Sequence, residues 1–266
     1  MGQASLHDWD TPPTGREAAL AFLSTGAEAM SAASLIRRAA MLGVDAAAMR
    51  VALGRLVRDG IVHSPARGRY VIGETGQAMN ALARGWRDVE ARVRAWEGRW
   101  LVVATDHLGR TDRRRVRLRE RALRLGGLAR TDAGLWVRAD NLAEALGDTA
   151  ARLVRLGLDA DSLALGAVVA LPPDDRTFRS LWDRDGIESG YAGWTRELAA
   201  SEARLPDLSP EDAARETLLL GQAVIRAINR DPLLPDALVD AALRRELVQA
   251  MHRYDRIGRA CWARVA

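Results

Sequence analysis

The chain has 266 residues, 48% of them apolar, and a formal net charge of +4. That is enough length for one large domain or two to three small ones with packed cores. The single cysteine, Cys261, excludes an internal disulfide and a multi-cysteine zinc site, and His7, His63, His107 and His252 lack ligand spacing. No N-terminal stretch has the apolar core of a signal peptide, and no run nears the roughly eighteen apolar residues of a membrane span, so a cytoplasmic chain with no membrane partner is expected. All 39 basic residues are arginine, a usage that points to a GC-rich genome. Their placement says more than their number. Residues 31–72 carry seven arginines against two aspartates, a local +5 that leaves the remainder near −1. Basic charge concentrated in one small segment suits a polyanionic partner.

Residues 16–23 read as a short first helix. Ser31 is a cap for a second helix to about Met41, with Ser34 a later alternative. Leu42-Gly43-Val44 is a tight connection in which Gly43 is free to take positive φ. Asp45 then caps a third helix running to Asp59, closed by Gly60. On this helix Met49, Ala52, Leu53, Leu56 and Val57 share a face, with Ala47, Val51, Arg55 and Arg58 opposite and Arg50 at the border. Two β-prone runs, 61–63 and 69–72, flank a turn over 64–68 and predict a hairpin. Helix, short turn, basic helix and basic hairpin predict a winged helix-turn-helix over residues 1–75, with double-stranded DNA as its partner. Arg50, Arg55 and Arg58 are the candidates for the major groove, where arginine pairs bidentately with guanine. Arg67 and Arg69 are the candidates for phosphate or the minor groove. The plainer alternative is a solvated basic face on a module that binds protein.

Met79, Leu82, Trp86, Val89, Val93 and Trp96 are spaced 3-4-3-4-3, so a linking helix is expected over 76–97. Its seam would serve either a dimer or the chain's own middle domain. Further on, 98–106 reads as a buried strand and 113–125 as a basic helix. Residues 128–130 and 135–138 read as strands about a turn. Asn141 caps a helix to about Leu156, and 162–171 is a last strand. The order β-α-β-β-α-β predicts a ferredoxin-like domain over 98–172. Residues 110–121 hold seven arginines against one aspartate and one glutamate. They form either a solvated face or a second nucleic-acid surface. Asp106, at the end of the first of these strands, offers an enzymatic alternative, a metal-dependent nuclease; an isolated aspartate there more commonly serves a turn. Residues 173–266 read as all-α: Ser209-Pro210-Glu211-Asp212 starts one helix, Asp231-Pro232 stops it, and a last helical stretch runs from about 233 to 265. The fold class expected for the whole chain is α+β.

Four short segments in this order resemble the PaaX family of bacterial transcriptional regulators, repressors of phenylacetate catabolism. They are residues 44–60 (VDAAAMRVALGRLVRDG), Trp96-Glu97-Gly98-Arg99-Trp100, Gly134-Leu135-Trp136-Val137-Arg138 and Asp231-Pro232-Leu233-Leu234-Pro235. The Trp-Pro-Gly run frequent in that family after its Asp-Pro-x-Leu-Pro segment is replaced here by Ala237-Leu238-Val239-Asp240-Ala241-Ala242. The resemblance implies a winged-helix reader, a middle domain similar to the small CRISPR adaptation nuclease subunit, and a helical C-terminal domain. It further implies a non-enzymatic homodimer, without cofactor or metal, that represses a catabolic operon and is released by an aryl- or acyl-CoA thioester such as phenylacetyl-CoA. Arg50, Arg55 and Arg58 match the family's basic positions in the reader.

Overall fold

The computed structural model describes residues 9–24 and 28–265, the side chains of residues 78, 79, 81 and 82 excepted. His7 and the side chains of Met79 and Leu82 thus lie outside the described residues. Helix α1 (Gly15–Leu23) opens with a capping box: the Thr14 hydroxyl accepts from Glu17 N, and the Glu17 carboxylate accepts from Thr14 N at 2.9 Å. A two-residue strand β1 (Met30–Ser31) leads into α2 (Ala32–Met41), where Ser31 Oγ accepts from Ser34 N at 3.1 Å. Ser31 is thus the cap, and Ser34 is the residue it caps. Gly43 takes φ +79° in the turn. Asp45 then accepts from Ala47 N and Ala48 N, both at 2.8 Å, to start α3 (Ala46–Arg58). Strands β2 (Val62–Ala66) and β3 (Arg69–Ile72) complete an antiparallel sheet of order β1-β3-β2.

Two local expectations change here. Val57 is 38% exposed and not part of the buried face of α3, which is Met49, Ala52, Leu53 and Leu56. The hairpin turn is only Arg67-Gly68, with Gly68 at φ +72°. Pro65 and Ala66 belong to β2, across a register shift between His63 and Ala66. Ser64 Oγ donates within reach of both Ala66 O and Arg69 O (3.0 Å each), closing the irregular stretch that proline would otherwise leave open.

The single helix expected over 76–97 is replaced by α4 (Glu74–Arg84), a 3-10 turn over Gly85–Arg92 with a non-helical Asp88, and extended chain. Val93 bridges Leu142 in β fashion. The elements β4 (Trp100–Ala104), α5 (Arg113–Leu125), β5 (Ala129–Arg130), β6 (Trp136–Ala139), α6 (Leu146–Leu156) and β7 (Leu163–Val168) follow, and their sheet is antiparallel with order β5-β6-β4-β7. Helix α6 starts at Leu146, not next to Asn141. The Asn141 side chain is buried, accepting from Arg138 at 3.1 Å and donating to Leu233 O at 2.8 Å. The remaining chain is helical: α7 (Pro172–Arg179), α8 (Arg184–Arg204), α9 (Pro210–Asn229), capped by Ser209, and α10 (Ala241–Val265). The last helix begins at Ala241 because residues 230–240 form a buttressed turn. Leu233 sits at φ +53°, and Asp231 Oδ1 accepts from its N at 2.7 Å.

These elements form two compact units. One gathers the described residues up to Arg87 with Gly193–Asn229 and the chain from Leu247 on; the other holds Asp88–Ala192 and Arg230–Glu246. In the first, Ala18, Phe22, Leu35, Met49, Leu53, Leu56 and Ile72 share a core with Leu219 of α9, and Trp262 of α10 packs against it. In the second, Leu123 of α5 and Leu153 of α6 bury one face of the sheet through Leu101, Val103 and Trp136. Trp100, Val102, Val137 and Ala139 on the opposite face pack against Leu234, Leu238 and Val239. No helix among the described residues is long and apolar enough to cross a membrane.

Candidate nucleic-acid interface

Helix α3 is fixed from behind. Its Met49, Leu53 and Leu56 are buried, while Gly15 of α1 lies so close that a Cβ there would fall 2.9 Å from Ala48 O. What remains outside is Arg50, Val51, Gly54, Arg55 and Arg58, with Val51 53% exposed and open space over Gly54. Uncovered on one side and anchored on the other, α3 is a rigid platform carrying three arginines. Strand β2 follows it directly, and the β2–β3 tip exposes Arg67. Arg69 is exposed too, but its guanidinium donates to Ala29 O at 2.5 Å, tying the hairpin to the segment before β1. Arg50, Arg55, Arg58 and Arg67 therefore project from one helix and one hairpin tip, while Arg69 also braces the sheet.

Two features of this surface are not legible in the sequence. Arg16 pairs with Asp59 at 3.4 Å, both half-exposed, so Asp59 ends α3 and also holds α1 to it. A groove of about 370 Å³ runs between α1 and α3, lined by Thr14, Arg16, Val51, Arg55 and Asp59. No local pattern announces a pair 43 residues apart. Gly54 reads only as a glycine inside a helix, a position that costs about 1 kcal/mol against alanine. It faces outward, with open space over its bare backbone.

In the second unit, Asp106 is held by Arg110 at 2.8 Å with Arg130 at 3.8 Å, and a Cβ on Gly134 would overlap its carboxylate. Its neighbours are cations and a turn. Among the described residues no group of three or more His, Cys, Asp or Glu side chains could hold a metal ion. The basic helix α5 divides its charge. Arg119 is buried and binds Asp159 at 2.7 Å, with Arg115 on the same carboxylate, and these hydrogen bonds hold Asp159 below its ordinary pKa. Arg124 pairs with Glu120 at 3.1 Å. Arg113, Arg114, Arg117 and Arg121 are exposed.

A cleft of about 490 Å³ opens beneath the start of α6, lined among others by Arg94, Leu101, Arg138, Asp140 and Glu144. Arg138 is buried and donates to Ala139 O, Gly126 O and Asn141 Oδ1, all uncharged acceptors. Burial, reinforced by Arg152, brings its guanidinium down to about 9. Glu144 binds Arg152 at 2.7 Å and Thr149 at 2.9 Å, and Asp140 binds Arg94 at 3.1 Å. An arginine inside an otherwise apolar strand is the only sequence signal for this cleft.

No family model and no curated protein matches the chain. A solved structure, the uncharacterized protein Rv0674 from Mycobacterium tuberculosis, is similar to it with a TM-score of 0.63 at 24% identity, covering 94% of this chain and 99% of that one. At that identity the likeness speaks to the fold.

Proposed function

We propose that this chain is a sequence-specific DNA-binding transcriptional regulator of the PaaX kind, a homodimeric repressor of a catabolic operon that an aryl- or acyl-CoA thioester releases. In this reading the first unit is a winged helix: three helices and a hairpin, with a short strand before the second helix and sheet order β1-β3-β2. The second unit is ferredoxin-like: its strands, numbered from the first, lie in the order 2-3-1-4, all antiparallel, with both helices on one face. The observation that carries the reading is the outer face of α3. Arg50, Arg55 and Arg58 stand free around open Gly54 on a helix whose other side is locked into a core. An arginine fork on such a platform can pair with guanine O6 and N7. Arg67 at the hairpin tip extends the surface toward backbone phosphate.

The test is anisotropy titration of the full chain on duplexes from the promoter region of its own locus and on a scrambled duplex of equal length. The promoter duplex binds tighter, and Arg50→Ala or Arg55→Ala reduces that preference by about 1–3 kcal/mol, roughly 5- to 150-fold. Equal loss on both duplexes reassigns the arginine to phosphate. Equal binding of both duplexes by the unaltered chain, at low salt and without effector, defeats the proposal. Footprints of a dimer fall in half-sites about 10–10.5 bp apart or a multiple of that. Phenylacetyl-CoA is the first effector to titrate against the bound complex, since it can shift the population only by binding one state more tightly than the other.

A further inference from the structure

We propose that the outer face of α5 is a second nucleic-acid surface, binding the phosphate backbone of duplex DNA without regard to sequence. It is independent of the α3 reading, because it belongs to the other unit and uses different residues.

Half of the arginines on and beside this helix are already occupied. Arg115 and Arg119 serve Asp159, Arg124 serves Glu120, and Arg110 serves Asp106. Among the described residues, no carboxylate forms an ion pair with Arg113, Arg114, Arg117 or Arg121, all four of them exposed. At 3.6 residues per turn these four fall within an arc of about 100° on one side of the helix, with Arg119 on the other. Arg113, Arg117 and Arg121 succeed one another at intervals of about 6 Å along the axis, close to two base-pair rises of about 3.4 Å each along a duplex axis. A regular row of bidentate donors at that interval suits a regular polyanion better than a scattered acidic protein surface.

The row also works against its own helix. The first turn of α5 contains Arg113, Arg114 and Arg115 and no acidic residue, so three cations face the positive end of the helix dipole. Arg113–Arg117 and Arg117–Arg121 are like-charge pairs at i,i+4, each unfavourable to the helix. The Asp112 carboxylate, accepting from Arg114 N and Arg115 N, and the Asp159 partner of Arg115 offset part of this. Charges kept at a net local cost fit a surface that meets a partner.

The surroundings choose among polyanions. A helix lying on a membrane needs an exposed apolar face, but the apolar side of α5, Ala122 and Leu123, is buried in the core, which leaves Leu118 at 41% exposure. Single strands are held by exposed aromatic platforms, and α5 has no aromatic residue. A duplex backbone needs neither.

The experiment measures binding of the full chain to a random-sequence 40-bp duplex across salt, comparing the unaltered protein with a quadruple Arg→Gln variant at 113, 114, 117 and 121 and with the matching Arg→Lys variant. The Gln variant should bind more weakly, with a log–log salt slope shallower by about 3 to 4, or 0.9 for each phosphate that is no longer neutralised. The Lys variant should keep most of the slope. Arg50→Ala should leave the difference between them intact. If the α3 proposal is wrong, the unaltered chain shows no promoter preference but still loses random-duplex binding on removal of the α5 arginines. If the Gln variant matches the unaltered chain in affinity and slope, the α5 proposal falls while the α3 proposal stands. Loss of binding to vesicles of anionic lipid, or to single strands, with duplex binding unchanged overturns it equally. Should the quadruple variant lose its far-ultraviolet circular dichroism, Arg117→Gln alone, read as a slope change of about 1, decides.

Discussion

Gly15 and Gly54 face opposite fates on replacement by alanine, and the contrast tests how α3 is held. At Gly15 a Cβ would lie 2.9 Å from Ala48 O, 3.2 Å from Ala48 C and 3.2 Å from Ala52 Cβ. The first two are backbone of α3 and cannot rotate away, so α1 and α3 must part by a few tenths of an ångström against a packed core. Overpacking of this kind costs about 1–3 kcal/mol. The helical gain of alanine over glycine, at most about 1 kcal/mol, is muted at the first residue of a helix. Gly15→Ala should therefore destabilise the first unit by about 1–2 kcal/mol. At Gly54 nothing lies within 4 Å, and the residue is interior to α3, so Gly54→Ala should stabilise by about 0.5–1 kcal/mol. Hydrogen exchange of the α3 amides, read by mass spectrometry beside urea denaturation, resolves the two. Protection falls in Gly15→Ala and rises in Gly54→Ala. If Gly15→Ala is as stable as the unaltered chain, the close approach of α1 to α3 is wrong, and with it the platform on which Arg50, Arg55 and Arg58 stand. Gly54→Ala also reports on the interface. A duplex seated against α3 meets the new methyl group, so tighter folding accompanies weaker DNA binding.

Substitutions at three further positions probe single interactions. Asp45→Ala removes the acceptor for Ala47 N and Ala48 N and should cost about 0.5–2 kcal/mol in urea titration, with Asp45→Ser recovering most of it. Asp159→Asn strips the buried Arg119 of its counter-ion and should cost about 3–5 kcal/mol, with a matching fall in Tm. Asp159 titrates below its ordinary value when folded, so its contribution is full above pH 3.8 and is lost as pH falls through the lowered value. The acid limb of stability should therefore flatten in the variant. Asp231 behaves the opposite way. Burial raises its carboxyl above the ordinary 3.8 beside the Tyr191 hydroxyl, so its contribution is full below pH 3.8 and is lost as pH rises through the raised value. Subtracting the stability of Asp231→Asn from that of the unaltered chain should leave a difference that declines with pH above about 4; a flat or rising difference rules out the raised carboxyl.

Where one residue's chemistry decides an element, the sequence is legible. Asp45 and Ser31 cap the helices they precede, and Asp231-Pro232 lies beyond the end of α9 as expected. Helix α5 runs over residues 113–125 as the spacing of its apolar residues requires. Errors arise where distant partners override local preference. The 3-4 spacing through Trp86 and Val89 predicts continued helix, but Trp86 packs at a tilt against His252, centroids 4.7 Å apart, and Val93 is drawn into β pairing with Leu142. Asn141 reads as a cap because asparagine commonly is one; its amide is instead used by Arg138 and by Leu233 O, 92 residues away. At the candidate interface the exposure of Arg50, Arg55, Arg58 and Arg67 follows from helical spacing and turn chemistry. The tie from Arg69 to Ala29 and the Arg16–Asp59 pair depend on tertiary neighbours that no local window contains.

The core behind α3 includes Leu219 and is flanked by Trp262, and Arg215 reaches Asp10 across 205 positions of chain. A nascent polypeptide therefore emits the arginine-bearing helix long before the last residues of the core it shares. During most of synthesis that core lacks Leu219 and the flanking Trp262, and a fragment cut after residue 75 keeps that deficit permanently. Completion of the core behind the candidate DNA reader thereby waits on the carboxy-terminal helices, and a chain truncated upstream of them leaves a basic module with an unfinished core.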